Sequence, residues 1–185
     1  MIINPQMSPR PRVGISRCLL GDEVRYDGTH RRDATVIALL ETHVEWVPVC
    51  PEVEVGMGTP REPIYLMTSP DGVPSLGSLV SLVGVDSGRD WTSPMHAWAR
   101  ERARELAALD LSGYVFKARS PSCGIGDATI RDAGGERRGR GLFAQALIDA
   151  LPDLPVADEA SLSDAAARAR FLERVLHHHA ERLSR

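Results

Sequence analysis

No stretch of this 185-residue chain approaches the roughly 18–20 apolar residues that a membrane span requires. The N-terminus, Met1 to Arg12, carries three prolines and no apolar core, so it does not read as a secretory signal. No internal repeat or low-complexity segment is present. The formal net charge of −3 argues against a general nucleic-acid binder, although arginines cluster at 100, 102 and 104 and again at 137, 138 and 140. Lysine is nearly missing: Lys117 is the single one among 22 basic residues, a skew that reads as compositional bias. No Gly-x-Ser-x-Gly elbow occurs, so a serine triad is not indicated. Cysteine is scarce too. There are three, with no Cys-x-x-Cys clip and no fourth thiol. An odd number without a signal fits free or metal-bound thiols in a reducing cytoplasm better than a disulfide framework.

What is present suffices for a folded domain. Hydrophobic residues make up 43% and charged residues 25%, which predicts one globular domain over 12–185 behind a flexible lead over 1–11. Apolar runs and helical patterns alternate along it. Strands are expected at Arg12–Ser16, Val44–Val49 and Tyr114–Lys117, with further short ones at Ile64–Met67, Ser78–Val85 and Leu154–Ala157. Asp33 is placed to cap a helix running to about His43, with Val36, Ile37, Leu39 and Leu40 on one face. Thr92 or Ser93 can cap a second helix, with Pro94 in its first turn, ending near Leu109. Further helices are expected from Gly141 to Leu151 and from Ser161 to Leu183. A long Gly- and Pro-bearing connection fills residues 51–73. This order predicts an α/β class, a single-domain Rossmann-like three-layer fold with a mainly parallel sheet.

Each cysteine follows an apolar run and precedes a Gly- or Pro-bearing loop: Cys18, Cys50 and Cys123. In open parallel sheets ligands bind outside the carboxyl ends of the strands. Three thiols delivered there suggest three ligands on one centre. A structural zinc site is normally closed by four, so three leave one position open. Thiolates favour zinc or iron–sulfur. His30, His43 and His96 lie in no ligand-like spacing, and His177, His178 and His179 spread around a terminal helix. For any one cysteine, a buried hydrophobic role is the competing reading.

Flanking residues supply candidate chemistry. Arg25 and Tyr26 suit hydrogen bonding to, or stacking on, a planar ligand, or else salt-bridging and packing. Asp27-Gly28 is also a turn signal. Glu52 is placed to act as general base beside a metal centre, or else caps backbone amides. Gly56 and Gly58 permit positive φ or close backbone approach. Arg61 binds an anion or pairs with Glu62. Ser120 and Ser122 set two hydroxyls beside Cys123, for a cluster, a substrate or an ordinary hydroxyl turn.

These segments, Cys18-Leu19-Leu20-Gly21 with Val24-Arg25-Tyr26-Asp27-Gly28, Val47-Pro48-Val49-Cys50-Pro51-Glu52 with Thr59-Pro60-Arg61, and Lys117-Ala118-Arg119-Ser120-Pro121-Ser122-Cys123-Gly124, resemble the thiouracil desulfidase (TudS-type) family, formerly a domain of unknown function. The resemblance spans roughly Arg12 to Leu151. It implies a [4Fe-4S] cluster held by Cys18, Cys50 and Cys123, with one iron free of protein ligands. It further implies removal of sulfur from thiolated pyrimidines such as 2-thiouracil. A glutamate and a serine assist in that family, matched here by Glu52 and Ser120, with Glu54 and Glu45 as competitors. Glu45 lies at the far end of its strand, roughly 16 Å from Cys50 at about 3.3 Å per residue. Arg25, Tyr26, Asp27, Arg61 and Ser122 are the expected substrate contacts. The Glu54-to-Pro63 segment looks like a branch fused to a second domain and acting on thiolated tRNA. The tail after Leu151 is too short for one, so free base, nucleoside and tRNA all stay open. A non-catalytic sulfur or iron–sulfur carrier and a zinc-binding regulatory module are the alternatives.

Overall fold

The computed structural model describes residues 9–68 and 80–184. Most of the expected 1–11 lead, the first two residues of the strand expected at Ser78–Val85 and the last part of the 51–73 connection lie outside the described residues. In chain order the strands are β1 (Arg12–Ser16), β2 (Glu45–Val49), β3 (Ile64–Thr68), β4 (Val80–Gly84), β5 (Leu111–Phe116), β6 (Ala128–Asp132), β7 (Gly135–Gly139) and β8 (Val156–Asp158). The helices are α1 (Ala34–Leu40), α2 (Pro51–Glu54), α3 (Thr92–Ala108), α4 (Leu142–Ala150) and α5 (Ala165–Leu183).

Four strands form a parallel sheet in the order β2-β1-β5-β8. Its centre, β5, is buried along its whole length. Because side chains alternate across a strand, Tyr114 and Phe116 enter the core beneath α3 and α4, while Val115 enters the core beneath α1 and α5. That is a helix–sheet–helix sandwich. Gly14 on β1 is required by this packing, since a Cβ there would stand 2.2 Å from the Tyr114 ring. Pro48 sits opposite Ile15 in β2, an edge strand, where the missing N–H costs least.

A second sheet, β4-β3-β6-β7, pairs β3 with β6 in parallel and its other neighbours antiparallel. Leu66, Leu82, Ala128 and Ile130 pack there against Trp91, Met95 and Leu142. The β6–β7 hairpin has no counterpart among the sequence expectations. Its β7 half, Gly135–Gly139, contains no apolar residue and lies mostly exposed, so it leaves no alternating pattern.

Caps explain two further differences. Asp33 accepts the Val36 N–H as expected, but α1 stops at Leu40, where the chain turns into β2. Neither Thr92 nor Ser93 caps α3: Trp91 occupies that position and Asp90 accepts the Thr92 N–H at 2.8 Å. The Thr92 hydroxyl instead accepts the buried Leu82 N–H of β4, a donor that would otherwise lack a partner. Residues Ser161–Ser163 form a 3-10 turn, and α5 starts later, capped by Asp164 accepting from Ala167.

Candidate active site

The carboxyl ends of β1, β2 and β5 open onto one cavity of about 370 Å³, and all three cysteines line it. The chain continues from β1 to β2 on one side and from β5 to β8 on the other, so the strand order reverses between β1 and β5, where open α/β sheets form their crevices. Cys18 comes from a 3-10 turn, Arg17–Leu19, directly after β1. Cys50 is the residue between β2 and the one-turn helix α2, whose first position is Pro51. Cys123 lies in the loop after β5. Cys50 and Cys123 are buried and Cys18 is half-buried.

The α2 turn sorts its two glutamates. Residues two apart on a helix do not share a face. Glu54 turns back to accept the Cys50 N–H at 3.0 Å, satisfying a donor at the start of the turn, and pairs with Arg102 of α3 at 3.2 Å. Glu52 faces the cavity, with Oε2 3.5 Å from Cys50 Sγ and 3.9 Å from Arg61 Nη2. It is the one carboxylate among the described residues lining the cavity. Glu45 is elsewhere, paired with Arg12 at the surface.

The Cys123 loop is held by its serines and by α4. Ser120 Oγ accepts the N–H groups of Ser122 and Cys123 at 3.2 and 3.0 Å, which leaves its own proton to donate into the cavity that it lines. The Ser122 carbonyl accepts from Phe143 and Ala144, capping α4. The Ser122 side chain is fully buried and does not line the cavity, in contrast to the substrate contact expected of it. Gly141 closes this junction: a Cβ there would stand 2.4 Å from the Ser122 carbonyl carbon and 2.5 Å from its oxygen. Gly141→Ala should therefore displace the Cys123 loop at a cost of about 1–3 kcal/mol. A lowered thermal unfolding midpoint together with reduced metal loading is the expected result.

Arg25, Tyr26 and Arg61 line the cavity as well. Arg61 does not pair with Glu62. It donates to the carbonyls of Val24 and Gly58, both at 2.9 Å, while Glu62 folds over Gly84 to accept from Asp86 and Ser87. Asp27 stays off the cavity. It accepts the Thr29 N–H and hydroxyl, and these bonds, with Arg25, hold its carboxyl down at about 2. Gly56 and Gly58 adopt positive φ. Of the lining residues that carried no expectation of a role, five are polar or charged: Ser16, Arg17, Arg31, Lys117 and Arg119. Ser16 accepts the Lys117 N–H at 2.9 Å, Lys117 pairs with Glu159, and Arg31 and Arg119 have no carboxylate partner among the described residues. Ser16 ends β1 and Lys117 directly follows β5, so the rule that placed the cysteines would have found them.

The thiols are costly to ionise as they stand. Burial, reinforced by the Glu52 charge, pushes Cys18 up to about 11 and Cys50 up to about 12, and drives Cys123 well above its usual value. A soft cationic centre offsets that cost, since metal binding couples to thiol deprotonation. Among the described residues no three His, Cys, Asp or Glu side chains form a group that could hold a single metal ion. All three thiols nonetheless line the one cavity, and thiolates suit zinc or an iron–sulfur cluster.

The fold and cavity define an α/β domain with a three-thiol centre at the crevice of its parallel sheet. Residues 13–159 match the model of the 2-thiouracil desulfurase family, and the chain belongs to that family. It is 32% identical over 114 residues to "Uncharacterized protein YbbK" of Bacillus subtilis (strain 168), covering 60% of this chain and 72% of that protein. It also superimposes, with a TM-score of 0.62 and 28% identity, on a solved structure described as the [4Fe-4S]-dependent thiouracil desulfidase TudS, covering 85% of this chain and 96% of that one. No helix among the described residues is long and apolar enough to cross a membrane.

Proposed function

We propose that this protein is an iron–sulfur-dependent desulfidase acting hydrolytically on thiolated pyrimidines of the thiouracil or thiouridine type. The observation that carries the reading is the convergence of three thiols, two buried and one half-buried, and a single carboxylate among the described residues on one cavity. The balance is simple: a ring thiocarbonyl and water give a ring carbonyl and hydrogen sulfide. Cys18, Cys50 and Cys123 would hold a [4Fe-4S] cluster, which when bound supplies a soft Lewis acid with one position open to sulfur.

The chain's own side chains do the rest. Glu52 takes a proton from the incoming water, and Arg61 fixes the carboxylate and balances its charge. Ser120, with its oxygen already engaged by two N–H groups, donates its proton to the substrate. Tyr26, with Arg25 over its ring at 5.4 Å, offers a flat surface for the pyrimidine. Arg31 and Arg119, lacking carboxylate partners among the described residues, favour a substrate that also carries phosphate, a nucleotide or thiolated tRNA, over the bare base. The cytoplasm provides the reducing conditions that such a thiolate-held centre needs.

The test is anaerobic reconstitution with iron and sulfide, followed by sulfide release from 2-thiouracil, thiouridine, its 5′-monophosphate and thiolated tRNA. The expected result is turnover by the isolated protein, fastest with a phosphorylated substrate. A brown protein with about four irons that leaves every thiopyrimidine intact would overturn the desulfidase reading in favour of a carrier. Zinc instead of iron on elemental analysis would point to a regulatory module.

A further inference from the structure

Lys117 is the one lysine in a chain that uses arginine at every other basic position, and it lies on the wall of the thiol cavity. The two cations are not interchangeable. An ammonium is compact and carries three N–H donors, whereas a guanidinium is a broad planar fork. Lys117 follows β5 and Glu159 follows β8, so the ends of two neighbouring strands bring them together. Lys117 Nζ pairs with Glu159 Oε1 and donates to the Ala118 carbonyl at 3.0 Å, while Glu159 Oε2 accepts the Ala118 N–H at 2.7 Å. Both side chains are largely buried, 16% and 14% exposed. The ammonium is thus held rigidly, with two donors used and one left for whatever fills the cavity.

Of the other cations on the cavity, Arg31 and Arg119 are exposed and the remaining three are engaged. Arg17 pairs with Asp22, Arg25 with Asp27, and Arg61 with two carbonyls and Glu52. Lys117 and Cys18 line the same cavity, following the neighbouring strands β5 and β1.

We infer that Lys117 determines specificity by donating a hydrogen bond to the carbonyl oxygen that a thiouracil ring keeps at its other exocyclic position. The inference rests on the desulfidase reading of the cavity. A thiouracil presents an acceptor to that N–H. A thiocytosine presents an amino group there, and two opposed donors would leave both unpaired in a buried site, which is how binding sites reject near-isosteres.

Because the chain has one lysine, carbon-13 labelling of lysine Cε yields a single side-chain NMR signal, which reports Lys117 alone. In the reconstituted holoenzyme, uracil should shift that signal saturably and cytosine should leave it in place. Lys117→Met should keep its iron, raise KM for 2-thiouracil about tenfold or more, as for loss of a charged hydrogen bond, and bring 2-thiouracil and 2-thiocytosine to similar kcat/KM. Lys117→Arg should not restore the preference. A signal unmoved by saturating uracil overturns the inference, as does a Lys117→Met enzyme with lowered thermal stability but an unchanged KM, the mark of a purely structural tie. Should the variants fail to fold, the wild-type titration alone decides. A uracil-dependent shift without turnover of any thiopyrimidine supports Lys117 and sinks the desulfidase reading; turnover with an unmoved signal does the reverse.

Discussion

Cys123→Ala should yield a colourless protein that releases no sulfide from a thiopyrimidine. The Cys123 thiol is almost wholly buried, 3% exposed, in a loop fastened at both sides, by Ser120 in front and by the Gly141 junction behind. Among the described residues lining the cavity Glu52 is the one carboxylate and none is a histidine, so no ready ligand stands in for it. Loss of an outer-shell partner typically costs a metal site about 10–100-fold, and loss of a direct ligand among only three should exceed that. The fold itself should survive, because the substitution deletes one sulfur from the core, a cost of about 1 kcal/mol. Iron analysis, the visible absorbance of the reconstituted protein and a thermal melt check these outcomes together. Full iron and full rate in the variant would remove Cys123 from the ligand set.

Glu52→Gln should lower kcat by about 10²–10⁴-fold, the usual weight of a general base, while iron content stays at the wild-type level. The side chain is 12% exposed, and Arg61 holds it in place. Glutamine preserves its size and hydrogen bonding but cannot take a proton. Glu54→Gln is the informative contrast. Glu54 accepts the Cys50 N–H and anchors α2 to α3 through Arg102, so its loss should loosen Cys50 and reduce iron loading, with kcat per iron little changed. Steady-state kinetics normalised to iron separates the two. The reverse pattern would exchange the roles of these glutamates.

The contrast between Glu52 and Glu54 also marks the limit of what the sequence could disclose. Both flank Cys50 and both are acidic; only the helical turn at Pro51–Glu54 sends one to the cavity and the other to a backbone amide. Ser120 and Ser122 diverge for a similar reason. The first caps the loop from the cavity side, and the second is buried where its carbonyl caps α4. The β7 half of the β6–β7 hairpin left no apolar alternation. Its chains are held by the ladder and by exposed cross-strand pairs such as Arg131 with Glu136.

The sequence by itself determined the alternation of strands and helices, because burial on both faces of a parallel sheet writes unbroken apolar runs. It also determined the three thiols, because each follows such a run in a segment that carries a Gly or Pro. Tertiary structure alone decided that those thiols share one cavity, that Glu52 rather than Glu54 or Glu45 joins them, and that Lys117 meets Glu159 across the ends of β5 and β8. Each of these depends on strand order, side-chain direction and register. Those are relations between segments far apart in the chain, and no local pattern records them.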